Sequence, residues 1–223
     1  MSDKINILKE KLKKDIWIDE KDRIYPYLLE ERGKYKGRSQ LLLKPTTTAE
    51  VSQILSICHK NKISVVPQGG RTGLSGGTIP NPEKNEIIIS MEKMNKIVSM
   101  DQKCFSMVVQ SGCTLSDIKR KAKSKGLYFP LTLPSKDSCT IGGNISTNAG
   151  GSSVLKYGMT RDLVLGLEIV LPNGKILNGL REIKKDNRGY DLKHIFIGSE
   201  GTLGIITSAV LKIFPAPKRK SSA

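Results

Sequence analysis

The sequence predicts a fold of helices and strands in two lobes, α+β or α/β on pattern alone. Three observations predict it. Amphipathic stretches of helical period alternate with short β-branched runs through the first half. Apolar runs joined by turn residues dominate the second half. Hydrophobic residues make up 38% of the 223 positions and charged residues 26%, enough apolar material for one large core or two modest ones.

Residues 3–16 have the period of a helix, with Ile5, Leu8, Leu12 and Ile16 inward and Lys9, Lys11, Lys13 and Lys14 outward. Leu41 to Lys44 is a short strand stopped by Pro45. Thr47-Thr48-Ala49-Glu50 is a capping-box pattern, and the helix it opens carries Val51, Ile54, Leu55 and Cys58 on one face. Ile63 to Val66 reads as a buried strand. Further strands are expected at Glu86 to Met91, Ile97 to Asp101 and Phe105 to Gln110. Thr114 to Asp117 opens a second capped helix. Leu163 to Leu171, the turn Pro172-Asn173-Gly174 and Lys175 to Leu177 form a hairpin. Asp191 to Ile197 reads as a short helix and Gly204 to Phe214 as a long strand. The expected organisation is an N-terminal helical extension (1–37), a small βαβ-like lobe (41–101) packed on a larger mixed-sheet lobe (105–214), and a tail or linker start (218–223).

Composition removes several functional classes. No apolar run nears the roughly 20 residues that span a bilayer, and Met1-Ser2-Asp3-Lys4 leads into a charged helix without an apolar signal core. The expected location is the cytoplasm, extending at most to the periphery of an inner membrane. Cys58, Cys104, Cys113 and Cys139 form no C-x-x-C pair and have only His59 and His194 as further ligands, so no metal site is expected. The net charge is +16, which raises the question of nucleic acid. Lys119, Arg120, Lys121, Lys123 and Lys125 lie off the apolar stripe of their helix, and aromatics are only 5%. Without a stacking platform, no nucleic-acid partner is expected.

Two loops carry the chemistry. Pro67-Gln68-Gly69-Gly70-Arg71-Thr72-Gly73-Leu74-Ser75-Gly76-Gly77-Thr78 follows a buried strand directly. Its glycines let backbone amides approach a ligand and form an anion-binding nest, with Thr72, Ser75 and Thr78 as hydroxyl donors. A pyrophosphate suits it; neither a Walker nor a Rossmann spacing fits. On composition alone, a ligand-free tight turn explains the loop almost as well. The second loop runs from Pro134 to Gly158 and includes Ser138, Gly142, Gly143, Asn148, Gly150, Gly151 and Tyr157. A structureless stretch that long is usually functional, and its mix of amides and glycines suits the edges of a planar polar ring. A third run, Gly198 to Thr207, sets Glu200 among glycines before an apolar strand. An ordinary helix-to-strand turn explains that run equally well.

Together these segments resemble a known family. P-x-G-G-x-T-G-L-S-G-G, C-x-I-G-G-N-x-x-x-N-A-G-G with L-K-Y-G, N-x-G-Y-D-L and G-S-E-G-T-L-G-I-I-T occur in this order over residues 38–217. They resemble the PCMH-type FAD-binding domain of the vanillyl-alcohol-oxidase superfamily. Within it they resemble the group of D-lactate dehydrogenase, the glycolate oxidase large subunit and D-2-hydroxyglutarate dehydrogenase. The resemblance implies the α+β, two-lobed fold and FAD as cofactor. It implies that Pro67, Gly69, Gly70, Arg71, Thr72, Gly73, Leu74, Ser75, Gly76 and Gly77 cradle the pyrophosphate. Pro134, Ser138, Gly142, Gly143, Asn148, Gly150, Gly151 and Tyr157 would line the flavin and ribityl region, with Glu200, Gly201, Ile205 and Ile206 near the ADP part. Covalent members carry a His in the first loop; here Arg71 stands there, so non-covalent FAD is expected.

The reaction implied by the resemblance is hydride transfer from C2 of a D-2-hydroxy acid to flavin N5, with an external electron acceptor. Lys185-Asp186-Asn187-x-Gly189-Tyr190-Asp191-Leu192 leans toward the hydroxyglutarate members. The family's C-terminal substrate domain, with its metal ligands and base, has no counterpart in these 223 residues, so no catalytic residue is assigned. Three readings stay open: an oxidoreductase whose substrate domain lies in a missing segment or a separate polypeptide, a non-catalytic FAD-binding module, and an anion or nucleic-acid binder without flavin.

Overall fold

The computed structural model describes residues 2–219, and the last four positions of the expected tail lie outside the described residues. The architecture is α+β, as the sequence predicts, with two main sheets.

The chain opens with α1 (Ser2–Lys11), β1 (Trp17–Ile18) and α2 (Lys21–Ile24). A short 3-10 turn at Tyr25–Tyr27 follows, and then β2 (Leu42–Leu43), α3 (Thr48–Asn61), β3 (Val65–Gln68) and β4 (Ile87–Ser90). The first helix is shorter than the expected 3–16, because a turn at 14–16, closed by the Ile16 amide on the Lys13 carbonyl, redirects the chain so that Trp17 and Ile18 pair with Leu43 and Leu42. The first sheet has the order β1-β2-β4-β3, with β2, β4 and β3 parallel. Its centre, Ile87-Ile88-Ile89-Ser90, is fully buried, as a parallel strand covered on both faces must be. Period-two alternation decides what covers each face. Leu41, Leu43, Ile87 and Ile89 meet α3 and α1, while Leu42 and Ile88 meet Ile18, Ile24 and Tyr27.

The capping box at Thr47 is complete. Its hydroxyl accepts from the Glu50 amide, and the Glu50 carboxylate accepts from the Thr47 amide. Val51, Ile54, Leu55 and Cys58 are buried as their spacing predicts. Strand β3 starts two residues later than expected and runs through Pro67, paired with Ile89. Proline is tolerated because β3 is an edge strand with no partner on its outer side among the described residues.

The rest of the chain forms β5 (Ile97–Asp101), β6 (Ser106–Gln110), α4 (Leu115–Lys123), β7 (Leu127–Tyr128), α5 (Ile141–Ser146) and α6 (Val154–Tyr157). After a 3-10 turn at Thr160–Leu163 come β8 (Val164–Val170), β9 (Ile176–Gly179), α7 (Lys193–Phe196), β10 (Ile205–Lys212) and β11 (Phe214–Pro215). The second sheet is antiparallel, ordered β5-β6-β10-β8-β9, and β7 pairs separately with β11. Ile97–Asp101 pairs with β6, so the sheets divide before residue 97 rather than after 101. On the buried face of this sheet, Leu115, Ile118 and Ala122 of α4 pack with Met107, Val109, Ile169 and Leu211. Residues 130–160 contain two helices that composition hid. Val170 and Ile205, at the ends of β8 and β10, pack into the core of the first sheet and join the two halves.

Candidate cofactor site

A cleft opens where the two sheets meet. Its walls are the glycine loop after β3, the start of α5 and the turn before β10. From the first loop it receives Pro67, Gly69, Gly73, Ser75 and Gly77. Gly142 and Gly143 come from the second, and Glu200, Gly201, Ile205 and Ile206 from the third. The structure therefore brings together members of all three segments singled out in the sequence.

Glycine is required in these segments for two separate reasons. A methyl on Gly70 would overlap the Ser138 carbonyl oxygen, and one on Gly69 the Thr140 hydroxyl. A Cβ on Gly142 would lie 2.6 Å from that of Ser111, and one on Gly201, at φ +80°, 2.6 Å from Pro67 Cγ. These glycines let the walls touch. Gly73 is different: a Cβ there would meet nothing within 4 Å. It leaves its backbone open to the cleft.

The donor set fits an acceptor-rich, partly planar cofactor. Among the described residues, four buried side-chain polar atoms lack a hydrogen-bond partner: Trp17 Nε1, Gln68 Oε1, Ser111 Oγ and Thr140 Oγ1. Gln68, Ser111 and Thr140 all line this cleft. Native proteins satisfy buried polar groups, so three orphans in one cleft call for a ligand. The Gln68 amide is oriented by its neighbours, since Nε2 donates to the carbonyls of Tyr27 (2.9 Å) and Thr78 (2.6 Å), leaving Oε1 as a free acceptor. Ser111 is held in place by its amide, bonded to Thr207 O, and by its carbonyl, which accepts from Gly142 N. A register shift between β10 and β8 falls at Thr207, beside the cleft residues Ile205 and Ile206. Such bulges re-aim side chains next to binding sites.

Several expected residues lie off the cleft lining. Arg71, at φ +56°, turns its guanidinium onto the Tyr27 ring, 4.2 Å from its centre. Thr72 is half-buried, Leu74 is exposed, and the Gly76 backbone lies against the Tyr35 ring. Pro134 and Ser138 are exposed on the turn before α5. Asn148, at φ +47°, accepts the Arg161 amide at 3.0 Å. Gly150 packs against Met159 and Gly151 against the Thr132 backbone. The Tyr157 ring stacks edge-on with Phe214 at 4.9 Å, in the larger core. Conversely, sequence reasoning missed Ser111, Thr140, Ser146 and Thr147 as cleft residues. Thr140 alone left a signal, as the hydroxyl residue just before Ile141-Gly142-Gly143. His59 and His194 are exposed, the latter with Nδ1 3.0 Å from Arg161 Nη1. Neither lines the cleft.

On the other side of Pro67 and Gly201 a separate hollow faces α3, lined by Leu55, Cys58, His59, Lys62, Ile63 and Val65 among others. Pro67, Gly201, Gly204 and Ile205 wall both hollows.

A split α+β scaffold, glycine turns converging from both halves and unpaired donors between them define a dinucleotide-cofactor domain. The family described as "FAD binding domain" matches residues 39–179, and the chain belongs to that family. It binds FAD. The chain is 45% identical over 217 residues to a mitochondrial D-2-hydroxyglutarate dehydrogenase of Arabidopsis thaliana, covering 97% of this chain and 38% of that protein. It is 49% identical over 183 residues to the mitochondrial D-2-hydroxyglutarate dehydrogenase of Rattus norvegicus, covering 82% of this chain and 34% of that one. Among solved structures, an alkyldihydroxyacetonephosphate synthase superposes with a TM-score of 0.86 at 28% identity, over 98% of this chain and 41% of the other. The chain thus spans little more than a third of the length of these proteins.

Proposed function

We propose that this chain is the FAD-holding part of an oxidoreductase acting on a D-2-hydroxy acid, with D-2-hydroxyglutarate as substrate. One observation carries the reading: Gln68 Oε1, Ser111 Oγ and Thr140 Oγ1 are unpaired in a cleft walled by three of the four family motifs. Bound FAD supplies the two-electron acceptor for oxidising a hydroxyl-bearing carbon. The residues of this chain do the holding. With FAD bound, amides of 69–77 would meet the diphosphate, the Ser111 and Thr140 hydroxyls would donate to polar atoms of the cofactor, and Ile205 and Ile206 would supply an apolar wall. The cofactor is dissociable, since Arg71 offers no nucleophile at the loop position where covalent members carry a histidine. Gly70 shapes the wall by letting the first loop touch Ser138, and Pro134 stands on the exposed turn beside it. Similarity to D-2-hydroxyglutarate dehydrogenases supports the substrate.

Substrate clamping and proton removal belong to further polypeptide, in a longer chain or a separate one, and an external acceptor takes the electrons. Large apolar side chains at the surface support this, with Leu155 and Tyr190 103% and 93% exposed. No helix among the described residues is long and apolar enough to cross a membrane. The two dehydrogenases compared are mitochondrial by name, so the cytoplasmic placement is an expectation for fractionation of the native protein to decide.

The test is a titration of cofactor-free chain with FAD, followed by dye reduction with D-2-hydroxyglutarate with and without the C-terminal part of a relative. Flavin uptake with activity only in the complemented sample supports the reading. A folded chain that leaves FAD free refutes it.

A further inference from the structure

The family match starts at residue 39, and residues before it look like a helical extension in the sequence. The structure packs part of that extension against the glycine loop. Arg32 Nη2 donates to the Leu74 carbonyl at 2.6 Å. Arg32 is itself held by Glu30, whose Oε1 accepts from Arg32 Nε at 3.1 Å. Glu30 is 4% exposed, and its other oxygen accepts the amides of Arg32 and Lys34, each at 3.1 Å. A buried carboxylate saturated in this way is a rigid anchor.

Two tyrosines complete the contact. The Tyr35 ring lies against Gly76, where a Cβ would meet its Cδ2 at 2.9 Å, and Gly76 sits at φ +81°. Only glycine supplies that conformation and that clearance together. Tyr27 accepts from Gln68 Nε2 through its carbonyl, carries the Arg71 guanidinium on its ring and donates its hydroxyl to Glu92 at 2.9 Å. Arg71 Nη1 lies 3.8 Å from that same Glu92 carboxylate. These contacts reach Arg71, Leu74 and Gly76 off the cleft and Gln68 on it, between and beside the lining residues Gly69, Gly73, Ser75 and Gly77.

We propose that residues 27–35 are a positioning brace for the cofactor loop: Tyr27, Arg32 and Tyr35 fix Arg71, Leu74 and Gly76 so that the amides facing the cleft are ordered before FAD arrives. The inference rests on the placement of the FAD diphosphate at this loop. None of the three side chains lines the cleft. They act on the fraction of protein whose loop is ready to bind, and apparent affinity falls in proportion to that fraction.

The experiment is FAD titration of the complete, cofactor-free chain by quenching of flavin fluorescence, with thermal melting of the apo form beside it. Arg32 is 44% exposed at its side chain, and without it Glu30 keeps both backbone-amide donors, so Arg32→Met folds. It is expected to weaken FAD binding about tenfold while apo melting stays within about 2 °C. Tyr35→Ala behaves alike, and Arg32→Lys, which keeps a donor for Leu74, recovers part of the affinity. Wild-type FAD affinity in both Arg32→Met and Tyr35→Ala overturns the brace. So does a joint fall of affinity and melting that Arg32→Lys does not relieve, which marks ordinary structural damage. Gly73→Ala separates the two levels of the argument. If it weakens FAD while the brace variants do not, the cofactor placement stands and the brace fails. If it too binds FAD as wild type does, the placement fails and takes the brace with it.

Discussion

Gly70 and Ser138 abut so closely that a single methyl on Gly70 would overlap the Ser138 carbonyl oxygen. The two glycine-rich loops, 68 residues apart in sequence, form one wall at this point.

That contact separates two kinds of glycine. Gly70→Ala forces a side chain into a backbone carbonyl, which cannot rotate away, and is expected to cost about 2–3 kcal/mol of stability. Gly73→Ala adds a methyl with nothing within 4 Å, so its stability cost stays within about 0.5 kcal/mol. FAD affinity moves the other way, because the Gly73 methyl occupies the face left for the diphosphate. Urea unfolding and FAD titration of both variants check the contrast. Equal stabilities would show that the loops do not touch as described.

What the sequence made legible depends on how local the causes are. The caps at Thr47 and Thr114 show in four-residue patterns because their bonds close within three residues, to Glu50 and Asp117. The pairing of Ile97–Asp101 with β6 is equally local, yet the expected lobes, 41–101 and 105–214, part between them. Strand β1 left no trace, since two residues carry no period, and only Leu42 and Leu43 opposite give it meaning. Helix α5 was hidden by Gly142-Gly143, poor helix formers held helical by packing on Ser111. The three motifs of the site were visible as glycine clusters. Which face each residue shows was not, because the turn of Arg71 toward Tyr27 depends on a residue 44 positions upstream.

Thr140→Val tests the orphan hydroxyl directly. Valine keeps the shape and removes a buried group that finds no partner in the protein. An unsatisfied buried hydroxyl costs about 1–3 kcal/mol, so the cofactor-free variant is expected to melt at or above wild type. FAD binding is expected to weaken about tenfold, the loss of one hydrogen bond to a charged or strongly polar acceptor. Melting below wild type would mean that the hydroxyl already has a partner.

Thiol labelling should sort the four cysteines by burial. Desolvation pushes the Cys58 thiol up to about 12 and the Cys113 thiol up to about 11. Cys139 is 2% exposed, and Cys104 alone is exposed, though Asp101 beside it raises its pKa as well. Because the thiolate is the nucleophile, an aromatic disulfide reagent at pH 8 is expected to titrate one cysteine in the folded chain and four after denaturation. Two or more fast thiols in the folded protein would contradict the burial of Cys58, Cys113 and Cys139.

Glu92 sets an acid limit on the structure behind the glycine loop. Burial would push its carboxyl up, but hydrogen bonds from Lys44 Nζ (2.7 Å) and the Tyr27 hydroxyl outweigh that and hold it below its ordinary value of 4.5. A carboxyl whose folded pKa lies below its unfolded pKa stabilises the fold fully above the unfolded value, and that contribution disappears as pH falls through the folded one. Glu92→Gln removes the charge and keeps the size. The variant is therefore expected to be less stable than wild type at pH 7, with the difference shrinking only below about pH 4.5, where wild-type Glu92 begins to take up its proton in the unfolded state. Urea midpoints of both proteins from pH 7 down to pH 3 give the curve. A difference that is constant across this range would mean that the glutamate acts through shape alone, and that its charge does not tie Lys44 and Tyr27 to the back of the loop.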